Sequence, residues 1–342
     1  MSFIYKKKLI SPEELSSALP MSAQDVRRKK ERDQEIRDIF SGRSDKFLVI
    51  MGPCSADHED AVCDYVSRLA EVQEKVSSRI LIIPRVFTNK PRTTGLGYKG
   101  IAHQPDPEKE PDLQEGLIAM RRLHLRVLAE TGLTTADEML YLEIWPYVED
   151  LLSYVVIGAR SVENQPYRFA VGGMDCPAGM KNPTSGDFSV MLNSCLAAQS
   201  SHTFIYRGYE VSTSGNPFTH CILRGAIDQD GQYVPNYHYE DLIRLHEMYA
   251  KYQLANPAVI IDANHANSGK IYSEQPRIVK EVLYSRSANP ELAQLVKGVM
   301  IESYIEAGRQ DISGRNYGQS LTDACLGWKE SERLIYTIAE HV

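Results

Sequence analysis

The chain has 342 residues, 43% hydrophobic and 24% charged, with a formal net charge of −7 at neutral pH. That mass of apolar side chains suits one large barrel with an extension, or two ordinary domains. The acidic balance argues against a general nucleic-acid binder, and no uninterrupted apolar run approaches the roughly 20 residues of a membrane helix.

The N-terminus, Met1-Ser2-Phe3-Ile4-Tyr5-Lys6-Lys7-Lys8, turns polar before a signal-peptide core could form, so a cytoplasmic location is expected. Cysteines at 54, 63, 176, 195, 221 and 325 include no Cys-x-x-Cys pair and read as reduced thiols.

Residues 1–45 read as a helical N-terminal extension, with Ser22 capping a polar helix through Asp38-Ile39-Phe40 and Gly42 stopping it. Its Arg27-Arg28-Lys29-Lys30 run reads as a solvated helix face. From Lys46 on, short apolar runs alternate with helical patterns at Asp60 to Val76, Gly116 to Thr131, Pro276 to Ser285 and Ala324 to Glu340. Alternation of this kind predicts parallel β/α units. About eight units favour a closed barrel, and no Gly-x-Gly-x-x-Gly turn follows the first strand. The predicted fold is therefore α/β, a (β/α)8 TIM barrel over 46–342 with the extension before it. Two segments break the rhythm: a long loop from Thr88 to Glu115, and His202 to Ser214, which reads as an inserted β-hairpin.

Nearly every apolar run ends on a residue that can bind a metal or an anion. The runs reach Cys54, Arg85, Glu138, Arg160, Lys181, Arg224, His265 and Glu302 in turn. In a parallel barrel those ends converge on one mouth. Arg85, Lys90, Arg92, Arg160, Lys181 and Arg224 would repel one another there unless more than one anionic group of a ligand lay between them. For any one of them alone, a salt bridge on the rim is the plainer account. Cys54, His265, Glu302 and Asp323 offer S, N and O donors, a mixture that suits Mn²⁺, Fe²⁺, Co²⁺, Zn²⁺ or Cu²⁺ better than Mg²⁺ or Ca²⁺. Taken singly they fit a buried thiol, a loop histidine and a partner for an arginine, and spacing alone does not separate these readings.

The motifs Gly52-Pro53-Cys54-Ser55, Lys90-Pro91-Arg92-Thr93-Thr94, Ile157-Gly158-Ala159-Arg160, Lys181-Asn182, Leu223-Arg224-Gly225, His265-Ala266-Asn267-Ser268, Ile301-Glu302-Ser303 and Ser320 to Trp328 stand in this order. As an ordered set they resemble type I 3-deoxy-D-arabino-heptulosonate 7-phosphate (DAHP) synthases of the aromatic amino-acid-regulated subclass. The resemblance implies condensation of phosphoenolpyruvate (PEP) with D-erythrose 4-phosphate, the entry step of the shikimate pathway. By motif, it implies Cys54, His265, Glu302 and Asp323 as ligands of one divalent metal ion, Mn, Fe, Co or Zn. Arg85, Arg160, Lys181 and Arg224 would hold PEP, with Lys90 bridging toward the reacting centre and Glu138 beside it. Arg92 and Thr93 would take the erythrose phosphate. The catalytic set is thus Cys54, Lys90, His265 and Glu138. The family also implies a homodimer or homotetramer, with no nucleic-acid or membrane partner.

Two departures lie away from the chemistry. The hairpin region Phe204 to Gly215 is shorter than the family's, and Asp175 stands where a small hydroxyl residue is expected near the effector pocket. A carboxylate there would repel that of an amino-acid effector, which puts feedback by Phe or Tyr in question but not catalysis. The rival readings are 3-deoxy-D-manno-octulosonate 8-phosphate synthase, which uses arabinose 5-phosphate, a metal-dependent aldolase of another barrel family, and a catalytically silent paralogue.

Overall fold

A computed structural model describes residues 2–92 and 94–342. Eight strands, β1 (Phe47–Gly52), β2 (Ile80–Pro84), β3 (Thr135–Glu138), β4 (Leu152–Ile157), β5 (Ala178–Lys181), β6 (Thr219–Leu223), β7 (Val259–Asp262) and β8 (Val296–Glu302), form one sheet. Their spatial order is β2-β1-β8-β7-β6-β5-β4-β3, with every neighbour parallel. A parallel bridge between Arg85 and Ala136 joins the two edges and closes the barrel. The Val86 N–H donates to the Ala136 carbonyl across it at 2.9 Å. The chain is a (β/α)8 barrel.

The continuous apolar runs follow from burial on both faces of the sheet. Along β1, Leu48 and Ile50 point into the barrel while Phe47, Val49 and Met51 point out to the helices. The interior cluster also takes in Ile36, Ile39 and Phe40 from the helix Ala23–Phe40. That helix, capped by Ser22 as its sequence predicts, therefore plugs the end of the barrel where the strands begin. The Phe40 ring stacks on His220 with centroids 4.2 Å apart.

Among the described residues the β3–β4 connection carries no α-helix, only the short 3-10 turn Trp145–Tyr147. The helix Pro12–Ala18 packs against that turn instead. Tyr147 Oη donates to the Ile10 carbonyl at 2.7 Å, and Arg121 Nε to the Leu19 carbonyl at 2.9 Å. The extension thus covers barrel surface that a regular unit would cover itself.

The hairpin pairs His202–Tyr206 with Tyr209–Thr213 in antiparallel register. Arg207 and Gly208 turn it, both at positive φ (51° and 80°), the geometry that matches strand twist in a two-residue turn. One helix differs from expectation. The last begins at Trp328 rather than Ala324, because Cys325 and Leu326 bridge to Gly308 and Ser303 and cannot also be helical.

Candidate active site

The C-terminal strand ends surround a cavity of about 290 Å³. Cys54, Arg85, Lys90, Arg92, Glu138, Arg160, Lys181, Arg224, His265 and Asp323 all line it. Glu302 lies just behind, 1% exposed, at the end of β8 and in register with Gly52. Every predicted site residue is thus gathered at one mouth except Thr93, which lies outside the described residues. Close approach of β1 to β2 positions the first of them. A Cβ on Gly52 would stand 2.1 Å from the Arg85 carbonyl oxygen, so only glycine lets the chain turn there into Pro53-Cys54.

Ligand atoms of Cys54, Glu302 and Asp323 lie within 4.8 Å of one another. Lys90 Nζ sits 2.6 Å from Cys54 Sγ and 2.9 Å from Asp323 Oδ2, so a positive charge already faces two of the three donors. Burial, with the Glu302 carboxylate next, pushes the Cys54 thiol up to about 11. Burial also opposes the charge on Lys90, but Cys54 and Asp323 outweigh it and hold the ammonium well above its ordinary range. Burial likewise opposes the Asp323 charge, and Lys90 overcomes it, keeping that carboxylate ionised.

His265 stands beside this trio, with Nε2 3.8 Å from Glu302 Oε1 and Nδ1 2.8 Å from Asp262 Oδ2. A carboxylate against Nδ1 favours the proton on that nitrogen, leaving the Nε2 lone pair on the Glu302 side. Burial lowers the His265 pKa despite Asp262, so the neutral ring is favoured. Thiol and carboxylate donors in one small cluster, with an imidazole nitrogen beside it, fit a transition-series divalent ion. A buried thiol at about 11 fits it as well, since a bound dication removes that proton.

The cations are less naked than their crowding in sequence suggests. Arg85 Nη2 meets Glu302 Oε1 at 3.0 Å, Nη1 donates to the Pro53 carbonyl, and the guanidinium lies 3.7 Å over the Phe87 ring. Lys181 Nζ is 3.1 Å from Asp262 Oδ2. Burial opposes the Asp262 charge, but His265 and Lys181 outweigh it and hold the carboxyl far below its usual range. Arg92 Nε donates to the Tyr98 carbonyl at 2.8 Å. Arg224 Nη1 is buried with no hydrogen-bond partner, and burial lowers that guanidinium's pKa. Arg85, Lys90, Arg92, Arg160, Lys181, Arg224 and Lys270 face Glu138, Asp262, Glu302 and Asp323, an excess of positive charge in an acidic chain. Such a pocket attracts anions by field as well as by contact. Glu138 fills the space beside Gly158, where a Cβ would fall 2.2 Å from its Oε1.

Sequence reasoning passed over Asp262, Asn264 and Lys270. Asp262 closes a strand end, which was a usable signal, but its pairing with Lys181 and His265 is purely tertiary. Asn264 Nδ2 donates to Glu302 Oε2 at 2.6 Å. Lys270 lines the cavity from a loop in which both His265 and Lys270 take left-handed φ (52° and 61°). That conformation is uncommon for non-glycine residues, and among the described residues it recurs at Arg207, Gln253 and Asn256. The Lys270 N–H donates to the His265 carbonyl at 2.8 Å, closing the loop across both.

A mixed-donor trio and a ring of cations at the C-terminal mouth define a (β/α)8 enzyme that handles anionic small molecules. Residues 19–335 match the model of the DAHP synthetase I family. A phospho-2-dehydro-3-deoxyheptonate aldolase of Haemophilus influenzae is 35% identical over 98% of this chain and 92% of its own. A Trp-sensitive enzyme of that name from Enterobacter agglomerans is 35% identical over 98% and 95%. The solved phospho-2-dehydro-3-deoxyheptonate aldolase of Francisella tularensis superposes with a TM-score of 0.92 at 32% identity, covering 100% of this chain and 98% of that one. The chain belongs to the DAHP synthetase I family and is an enzyme of the 3-deoxy-7-phosphoheptulonate synthase class.

Proposed function

We propose that this enzyme condenses PEP with D-erythrose 4-phosphate, releasing phosphate, at the first step of the shikimate pathway and with one divalent metal ion. The observation that carries the reading is the meeting, at one mouth, of the Cys54–Glu302–Asp323 trio with more cations than carboxylates. Cys54, His265, Glu302 and Asp323 would hold the ion, which when bound supplies Lewis acidity toward an aldehyde oxygen.

The rest is positioning. Arg85, Arg160, Lys181 and Arg224 fix the phosphate and carboxylate of PEP, and the unpartnered Arg224 Nη1 is one donor ready for them. Arg92 and Thr93 take the erythrose phosphate at the loop side. Bond formation from the enol carbon of PEP to the aldehyde carbon leaves positive character at the phosphate-bearing carbon. Water adds there, and phosphate departs from the tetrahedral intermediate while the same cations hold its charges. Lys90 bridges toward the reacting centre and Glu138 orients the entering water, roles supported by their both lining the cavity.

We also place the enzyme in the cytoplasm, in line with six unpaired cysteines, and as a homodimer or homotetramer. Among the described residues no helix is long and apolar enough to cross a membrane. Exposed apolar side chains at Phe3, Ile4 and Tyr5 and on the hairpin at Ile205 and Tyr209 give a second copy surface to cover. Phosphate release from PEP should require erythrose 4-phosphate, fail with arabinose 5-phosphate, cease after chelation and return with Mn²⁺. Equal rates with the two aldehydes would overturn the substrate assignment, and activity that survives thorough chelation would overturn the metal.

A further inference from the structure

A second cavity, about 680 Å³, opens on the opposite face of the barrel, where the strands begin. Its walls are the turn after the plugging helix (Ser41 to Lys46), Asn256-Pro257 ahead of β7, and the segment from Arg286 to Lys297 that leads into β8. It is lined by polar and charged groups and lies across the barrel from the substrate pocket, with no residue in common. Its volume is that of a site for a small metabolite rather than for a lone ion.

Two half-buried cations stand in it. The Arg286 guanidinium lies 4.6 Å over the Phe47 ring, and its Nη2 donates to the Ala293 carbonyl at 3.2 Å. Its Nε is buried with no partner. Among the described residues neither Arg286 nor Lys297 forms an ion pair, although carboxylates stand nearby. Asp45 and Glu291 line the cavity as well; Glu291 lies 3.6 Å from His246 Nδ1, and Glu35, which does not line it, lies 3.6 Å from Lys46 Nζ. Burial alone lowers the Arg286 pKa to about 10. Lys297 is lowered by burial and then by the charge of Arg286, with Asp45 acting in the opposite direction. Of the other buried cations, Arg85, Lys181 and Arg121 each touch a carboxylate, while Arg224 in the substrate pocket shares with Arg286 a buried guanidinium nitrogen that has no partner.

Two partly desolvated, mutually repelling cations in a cavity are a fixed cost to the fold unless an anion joins them. An oxyanion between them would relieve the repulsion and supply acceptors to donors that the protein leaves unused. We propose that this N-terminal face carries a second ligand site, in which Arg286 and Lys297 clamp the phosphate or carboxylate group of a small metabolite, with Lys46 at its rim. The site is separate from the substrate pocket and does not depend on the assignment of the reaction.

Equilibrium dialysis of the full chain against radiolabelled inorganic phosphate tests this. The wild type should bind one phosphate more per chain than Arg286→Gln/Lys297→Gln. Lys297→Met, which keeps an apolar stem in place and leaves Arg286 on Phe47, should weaken that phosphate about tenfold, the effect of losing one charge-assisted contact. Turnover of both variants with saturating substrates should equal that of the wild type. Competition with citrate and with pyrophosphate then separates the two ligand chemistries, the tighter competitor naming the group the site prefers. Equal phosphate stoichiometry in the wild type and the double variant would overturn the proposal, as would an affinity unchanged by Lys297→Met.

Discussion

The Arg85–Glu302 pair is the most exacting place to test how this mouth is built. Both side chains are almost wholly buried, at 2% and 1% exposure, and they meet at 3.0 Å. Replacing Glu302 with Gln keeps its volume and its contact with Asn264, but leaves the Arg85 charge with one carbonyl and the face of Phe87. Breaking a buried pair from one side costs about 3–5 kcal/mol, because the remaining charge is uncompensated. Arg85→Met should cost a similar amount, leaving Glu302 with Asn264 alone as a hydrogen-bond donor at Oε2. The double variant removes both charges, so it should lose less than the sum of the single losses, by a coupling of about 2–3 kcal/mol. Urea denaturation of the four proteins in chelator reads the pair without any contribution from bound metal. All three variants should also lose turnover, since the proposed reaction assigns Arg85 to PEP and Glu302 to the ion. Additive losses within about 0.5 kcal/mol would refute the pairing as an energetic unit.

The remaining predictions concern the plug, the glycine under Glu138 and the thiols. His220 Nδ1 faces the Phe218 carbonyl at 2.9 Å and Nε2 faces Tyr154 Oη at 2.6 Å, so the ring is held neutral, and burial lowers its pKa to about 4. A depressed histidine contributes stability that is present above the unfolded pKa near 6.5 and is lost as pH falls through about 4. The stability gap between wild type and His220→Gln should therefore narrow by about 3 kcal/mol from pH 7 to pH 4 in denaturant titrations; a constant gap would contradict the burial argument. Gly158→Ala should displace the Glu138 carboxylate and cut turnover, while adding it to Glu138→Ala should change nothing further; a further loss in that background would mean the clash lies elsewhere. Cys54→Ala should abolish metal-dependent phosphate release, whereas Cys63→Ala, on the core face of the helix Glu59–Val76, should cost only stability. Equal activities of those two variants would count against the first-strand site.

The strands were legible in the sequence because a parallel sheet buried on both faces shows as unbroken apolar runs, and the mouth because each run stops at an ionisable residue. Local chemistry also announced the Ser22 cap and the hairpin within His202 to Ser214, which involve only near neighbours in the chain. What lay beyond reach were pairings across the barrel. Arg85 meets Glu302 from 217 positions away, and no periodicity links them. The same holds for Lys181 with Asp262, which turned an apparent ring of bare cations into one partly neutralised by the protein itself. Phe40 read as the end of a polar helix, yet its place is inside the barrel against His220, because the strand beginnings leave an apolar opening there. Residue types and their order determined the chemistry this chain can offer. Only the closing of the barrel decided which charges neutralise one another and which remain for a ligand, because that depends on distances between strands that the linear chain does not contain.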